Sequence, residues 1–482
     1  VRTSGAGPLL TALSLGAAAA AALAFTGVVG PPRTATTAAT ATTSTTTSKP
    51  SVHRPLDPAA VNDSLRYLVQ TFGVDQAEAL RRLELQQDAV RLDAVLREKA
   101  SAAYGGMWVD HDAGGVLVVA ATGQAGVEPH LDLLPSRQHV RVQPVARSLA
   151  DLTAVRDRIA AKVGTGPEAA HLPAISEPEN RVVLWARTWV ANRITPLSAR
   201  AQLAENARQA VAAEGEAAVA RNLPEPRTSA QPSAGPTACG PLACAAPMRG
   251  GMRLDIRRDN GTRGGCTSGF NLRSTGGQHH GRAWVLTAGH CTVGKTNNRP
   301  VQHNGADVLQ QHGIEENSYP YDYAALPYAG DAATAWLESA PRRNLVLGSK
   351  EEPITGTHAL TDIKAGWVVC AAGSASSAAD FPDSVDSGAG AGYSPGTRCG
   401  RVLSTDVGIN TDICARAGDS GGPLFNQADH TALGILEGSQ QARTGACQPD
   451  ERNNYVPIST VLGELDARGQ GSTFAVITAP NG

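Results

Sequence analysis

Between residues 57 and 222 the spacing of apolar positions changes period several times. Asp75 followed three residues later by Glu78 has the pattern of a capping box, and Leu85, Ala89, Leu92, Leu96 and Ala100 then fall on one face of a helix. Met107–Val109 and residues 116–121 are short apolar runs flanking Asp112-Ala113-Gly114-Gly115, which predicts a hairpin. Val140 and Val142 predict another strand. After Ser148, Leu152, Val155, Ile159 and Val163 return to helical spacing. Residues 182–185 read as a strand, and Thr195-Pro196 opens an alanine-rich helix. This is an α+β pattern with no constellation of reactive side chains. Beyond residue 239 the pattern becomes short apolar runs broken by Gly, Asn and Pro: residues 283–286, 308–310, 324–326, 367–370 and 433–436. That predicts an all-β half, a barrel or a sandwich. Residues 373–396, rich in Gly and Ser, are long for a hairpin and read as a mobile surface loop.

The flanks differ from both halves. Residues 9–29 form an alanine-rich apolar run behind Arg2, read as a cleaved export signal (residues 1–32) rather than a membrane anchor. Val1 fits a GTG start, which points to a bacterial source. Residues 33–54 are a Thr/Ala/Ser spacer too polar to pack. Residues 223–238, rich in Pro, Ser and Thr, read as an exposed, cleavable linker. The expected organisation is signal 1–32, spacer 33–54, α+β segment 55–222, linker 223–238 and a β domain 239–482.

Charge narrows the partners. A formal net charge of −2 gives no reason to expect nucleic acid. All eight cysteines lie at or beyond Cys239. An even number confined to one half suggests a disulfide-stapled domain for an oxidising compartment. Composition permits 105 pairings and chooses none. A zinc site is a poor alternative: no C-x-x-C occurs, and His279-His280 lack partners at ligand spacing and read as solvated loop residues. No metal or cofactor is implied.

The chemistry lies in three segments: Leu286-Thr287-Ala288-Gly289-His290-Cys291, Tyr321-Asp322-Tyr323-Ala324-Ala325-Leu326 and Gly418-Asp419-Ser420-Gly421-Gly422-Pro423. A serine hydroxyl attacks a carbonyl well only when an imidazole takes its proton and a carboxylate fixes that imidazole. Ser420, His290 and Asp322 supply the three parts. The surrounding glycines allow the turn that would aim the amides of Gly418 and Ser420 at a developing oxyanion. The G-x-S-x-G elbow of lipases also fits Ser420, but that fold needs its acid and histidine after the serine. Only His430 follows, too close behind.

From about Cys239 to Asp466 the chain resembles a chymotrypsin-family serine protease of the bacterial streptogrisin and alpha-lytic protease type. Cys266-Thr267-Ser268-Gly269-Phe270-Asn271 and Ile413-Cys414-Ala415-Arg416-Ala417-Gly418 carry the resemblance together with the three segments above. Tyr104-Gly105-Gly106-Met107-Trp108-Val109 resembles, over a shorter stretch, the pro-region of such proteases. The resemblance implies two six-stranded antiparallel barrels with the site between them. It implies disulfides Cys266–Cys291, Cys370–Cys399 and Cys414–Cys447, which leaves Cys239 to pair with Cys244. It implies protein or peptide substrates, secretion, a monomer that meets a membrane only during export, and self-cleavage between Thr228 and Gly250. The 55–222 segment would then act as folding assistant and inhibitor. Asp412 is expected at the base of the substrate pocket, with Glu437, Gly438 and Ser439 on the facing wall, a charge pattern that would favour Lys or Arg before the cut.

Two positions depart from the family pattern. Ala371 stands where relatives carry an arginine that neutralises the aspartate before the nucleophile. Asp419 therefore needs another partner: Arg398, Arg416 or a new N-terminus. Glu437 stands where relatives have a small hydroxyl residue. The function expected is a secreted serine endopeptidase made as a precursor; the alternative is an inactive homologue that binds without turnover.

Overall fold

The structure, a computed structural model, describes residues 55–194, 196–224, 240–338, 345–347, 351–376, 389–390, 392–439, 441 and 443–479. The expected signal, the spacer, Cys239 and most of the linker lie outside the described residues. No described helix is long and apolar enough to cross a membrane.

The N-terminal segment pairs helices with two three-stranded sheets. The first sheet holds Tyr104–Asp110, Val116–Ala121 and Val140–Pro144; the second holds His171–Ser176, Arg181–Ala186 and Ala218–Asn222. The helix Gln76–Lys99 begins where the Asp75 side chain accepts from Glu78 N at 2.8 Å. The reciprocal half of the box is absent, because Glu78 turns to Arg81 and Arg82 instead. Leu85, Ala89, Leu92, Leu96 and Ala100 are all buried on the predicted face. Ser148 and Asp151 form a full capping box ahead of Leu149–Val163. Leu152, Val155, Ile159 and Val163 are buried beneath it.

The carboxy-terminal half of the β region is a closed barrel. Its cyclic strand order is Val368–Gly373, Gly396–Ser404, Ile409–Thr411, Asn453–Pro457, Thr431–Ser439 and Pro423–Asn426. Closure leaves no strand edge unpaired. Along Val368–Gly373 the side chains alternate between two cores: Val369 and Ala371 face one, Cys370 and Ala372 the other, as a period of two requires.

The amino-terminal half differs from the expected second closed barrel. It is a half-barrel made of a four-stranded and a five-stranded sheet, joined by a single bridge between Leu309 and Tyr328. The strand Thr473–Val476 pairs along Asn271–Thr275 and occupies the edge through which that sheet would otherwise continue. The sequence pattern did not reveal this strand or the helix Ile458–Arg468 before it.

The expected mobile loop, residues 373–396, also needs correction at its described ends. Ala375, Ala389 and Tyr393 are buried together with Cys414, because Tyr393 serves a buried carboxylate described below. The middle of this stretch lies outside the described residues. Leu223, expected in an exposed linker, is buried against Tyr319 and Val407. Of the two adjacent histidines, His280 is exposed, while His279 stands edge-on to Trp284.

The N-terminal segment and the closed barrel share one apolar core. Leu85, Leu92, Met107 and Leu117 join Trp367, Val369, Leu424 and Tyr455. Polar groups complete the contact. Gln86 accepts from Val368 N at 2.7 Å and donates to Val368 O at 3.2 Å. Val109 N donates to Ala365 O at 3.0 Å. A Cβ at Gly366 would lie 1.9 Å from Val109 O, so this backbone approach requires glycine there.

Candidate active site

His290 sits in the one-turn segment Gly289–Cys291 at the end of the strand Ala283–Thr287. A Cβ at Gly289 would meet Glu316 O at 1.8 Å, so only glycine lets the histidine turn pack against the segment leading to Asp322. The Cys266–Cys291 disulfide anchors the far side of the turn. Asp322 holds His290 at two points. Its Oδ1 accepts from His290 N at 2.7 Å, and its Oδ2 is hydrogen-bonded to His290 Nδ1 at 2.5 Å. Asp322 is buried and the imidazole is partly exposed. Two contacts from one carboxylate fix the ring's tilt and commit Nδ1, which leaves Nε2 as the nitrogen for proton transfer. His290 lies close to the sulfurs of Cys266 and Cys291. Those sulfurs are bonded to each other, so they offer no thiolates to a metal.

Ser420 is partly exposed in a turn that begins at Gly418, φ +105°, and leaves through Gly421, φ +85°. A Cβ at Gly421 would lie 2.2 Å from Thr287 Oγ1 and 2.6 Å from Ala288 N. The nucleophile turn therefore packs directly on the backbone leading to His290. Thr267 ties the same turn from the other side: its N donates to Ser420 O at 2.8 Å and its Oγ1 to Gly418 O at 2.7 Å. Gly421 N donates to Leu436 O, and Leu436 N to Gly422 O. Among the described residues, neither Gly418 N nor Ser420 N donates to another protein group.

Asp419 is 1 % exposed and well provided for. It accepts from Ala375 N at 2.8 Å, from Arg416 N at 2.9 Å and from the Tyr393 hydroxyl. Arg398 Nη2 lies 3.3 Å from its Oδ2. Of the three candidate partners, Arg398 supplies the charge. Ala371 and Arg398 are direct cross-strand partners, so the cation reaches Asp419 from the neighbouring strand. Arg416 offers only its backbone. Its guanidinium makes a bidentate pair with Glu451 at 2.7 and 2.8 Å and donates to Gly445 O and Ala446 O. This pins the loop carrying Cys447, which is bonded to Cys414. Cys370–Cys399 also forms. Cys244 is disulfide-bonded; Cys239, its expected partner, lies outside the described residues.

The two acids expected around the pocket are not brought together. The Asp412 carboxylate accepts from Arg401 N at 2.7 Å and from Tyr67 of the N-terminal segment at 3.0 Å. It lies over Gly400, where a Cβ would touch Asp412 Oδ1 at 2.4 Å. Its hydrogen bonds are committed to that neighbourhood, which corrects its expected place at the pocket base. Glu437 is buried, and burial, with the negative charge of Asp322 adding to it, pushes its carboxyl well above the usual range. Gly438 is partly exposed and follows it in the strand Thr431–Ser439; the Ser439 side chain lies outside the described atoms. Tyr393 and Glu451 were missed by the sequence reading, which named Arg398 as one of three candidate partners without choosing it. The signal for Arg398 existed: if Cys370 faces Cys399 across an antiparallel pair, residue 371 faces residue 398.

Comparison with known proteins follows the same half of the chain. Residues 256–462 match the model of the family described as Trypsin. The chain is 28% identical over 218 residues to streptogrisin-D of Streptomyces griseus, covering 42% of this chain and 44% of that protein. It is 30% identical over 185 residues to serine protease 2 of Streptomyces fradiae, covering 38% of this chain and 91% of that protein. The chain thus spans less than half the length of streptogrisin-D. Among solved structures, the alpha-lytic protease homolog N4 is 23% identical, with 47% of this chain and 99% of that chain covered and a TM-score of 0.30.

Proposed function

The chain belongs to the trypsin family of serine proteases, and we propose that it is a secreted serine endopeptidase made as a self-processed precursor. The observation that carries the reading is the double hold of Asp322 on His290 next to a nucleophile turn whose Gly418 and Ser420 amides are unspent among the described residues. Ser420 Oγ attacks the scissile carbonyl while His290 Nε2 takes its proton. Asp322 fixes the ring and stabilises the imidazolium. Gly418 N and Ser420 N receive the oxyanion. Collapse of the tetrahedral adduct expels the amine, protonated by His290, and leaves an acyl-enzyme that water hydrolyses by the same steps in reverse. The satisfied Asp419 supports a competent turn and weighs against an inactive homologue.

Residues 55–222 act in this reading as folding assistant and inhibitor. Leu223 is buried against Tyr319, close to Asp322 in the chain, so the segment leaves its last strand at the edge of the site. Cleavage between Thr228 and Gly250 would free the cleft. No cofactor is required, and the natural compartment is extracellular.

The test is turnover of casein by the secreted protein. Ser420→Ala is expected to lose on the order of 10⁶ in kcat. Substantial peptidase activity in the pure variant would refute the assignment.

A further inference from the structure

Thr267 ends the strand Arg263–Thr267 and is fully buried, as is Ser374, which follows the strand Val368–Gly373. Their hydroxyl oxygens lie 2.7 Å apart, and Thr267 Oγ1 is also 2.7 Å from Gly418 O. Ser374 N donates to Thr267 Oγ1 at 3.1 Å, and Ser374 Oγ lies 3.3 Å from Cys266 O. Each hydroxyl has one hydrogen to give and two lone pairs that receive. A carbonyl oxygen only accepts, so the contact with Gly418 O takes the Thr267 hydrogen. The contact between the two hydroxyls then takes the Ser374 hydrogen. No other assignment puts a hydrogen into both 2.7 Å contacts. Thr267 Oγ1 thus receives twice from Ser374 and gives once to Gly418 O, which exhausts it.

The receiving carbonyl belongs to the nucleophile turn, whose peptides are pinned one after another. Gly418 O is held by the Thr267 hydroxyl, and Asp419 N, in the same peptide, donates to Arg416 O at 2.9 Å. Asp419 O accepts from Gly422 N at 2.8 Å. In a trans peptide the N–H points opposite the C=O, so this bond turns Ser420 N–H away from Gly422. Ser420 O accepts from Thr267 N at 2.8 Å, and Gly421 N donates to Leu436 O at 2.7 Å. Thr267 therefore holds the peptides on both sides of the one that carries Ser420 N. Gly418 is a glycine at φ +105° and turns easily, so holding its carbonyl restrains the swing of its own N–H. Behind Thr267, Thr287 Oγ1 donates to Thr267 O at 2.9 Å, which ties the brace to the strand leading to His290.

We propose that Thr267, with its hydroxyl oriented by Ser374, is a positioning residue that keeps Gly418 N and Ser420 N aimed at the oxyanion. Both side chains are buried away from substrate and act through the turn. Amides that already point at the developing charge need no reorganisation in the transition state. The brace therefore contributes to kcat rather than to substrate binding. The inference rests on reading these two amides as the oxyanion donors of a protease.

Kinetics on the processed enzyme give the first readout. Thr267→Val keeps the shape and removes the donor; kcat should fall about tenfold with little change in KM, the scale of one lost hydrogen bond. Thr267→Ser, which retains the donor, should recover most of that loss. Ser374→Ala should lower kcat by less, and should add nothing further in Thr267→Val, because the serine acts through the threonine. A Ser374→Ala loss of equal size in both backgrounds, or a Thr267→Val effect confined to KM, overturns the proposal. Hydrogen exchange in the uncut Ser420→Ala chain tests the brace without turnover. The amides of Asp419, Gly421 and Gly422 should exchange faster in Thr267→Val than in Thr267→Ser, with the strand Val368–Gly373 unchanged. Equal exchange in the two variants overturns the proposal, whatever the protein's activity. If no form turns over substrate, the peptidase reading fails, and exchange alone decides whether Thr267 holds the turn.

Discussion

Residues 240–479 carry disulfides Cys266–Cys291, Cys370–Cys399 and Cys414–Cys447 and every group of the candidate site. Residues 55–224 contain no cysteine and hold their shape with helix caps, two small sheets and a face donated to the other half. The polar anchoring differs accordingly. In the β half, Arg416 with Glu451 and Asp419 with its ring of donors are buried charges satisfied internally. In the N-terminal segment several key groups find their partners across the interface. Gln86 pairs with Val368, Lys364 meets Asp93 and Glu177, and His111 reaches Gly366. The closed barrel depends on pairings distant in sequence, which fold slowly. In the proposed precursor, a face that completes the barrel's core would be a physical basis for assisted folding.

The sharpest way to break this contrast is to strike inside the β half. Asp322→Asn keeps the geometry but favours the wrong tautomer of His290, so kcat should fall by roughly 10⁴ with the fold intact by circular dichroism. A loss below tenfold would mean that His290 does not depend on Asp322.

Arg398→Met probes internal satisfaction. It strands Asp419 with neutral donors only, and removing one partner of a buried pair costs about 3 kcal/mol or more. Urea unfolding of this change in a Ser420→Ala background measures it. A negligible shift would return Asp419's counter-charge to some other group.

The smallest effect lies at the interface. His111 is 4 % exposed, donates through Nε2 to Gly366 O at 2.6 Å, and is lowered from 6.5 to about 4, chiefly by burial. A histidine kept neutral in the complex but free to protonate when released weakens the complex as acid is added. The contact is at full strength above pH 6.5 and is progressively lost toward pH 4, by at most roughly 3 kcal/mol over that window. Arg82, Arg401 and Asp112 face the same ring. The dissociation constant of residues 55–224 for the processed domain should rise between pH 7.5 and 5, and His111→Gln should flatten that rise. Equal pH dependence in both forms would remove His111 from the account.

Much of this organisation was legible in the sequence because it is local. The helix faces over 76–99 and 149–163 and the hairpin around Gly114 depend on near neighbours. What stayed hidden depended on distant chain. The helix Asn62–Phe72 buries Asp63 and Ser64, polar residues that look solvent-facing until Gln427 bonds both. Asp412 read as a pocket acid because its neighbour Cys414 borders the pocket; Tyr67, 345 residues earlier, claims it. The half-barrel follows from Thr473–Val476, a strand too short to announce which edge it covers.

The central claim is that Ser420 in the stapled half is the nucleophile and that the N-terminal segment covers it. A fluorophosphonate probe with peptide mapping tests this most directly, applied to the full chain and to the chain cut between Thr228 and Gly250. The account predicts one adduct per cut chain, on Ser420, formed much faster than in the uncut chain. A cut chain that takes no label, or takes it elsewhere than Ser420, would contradict it.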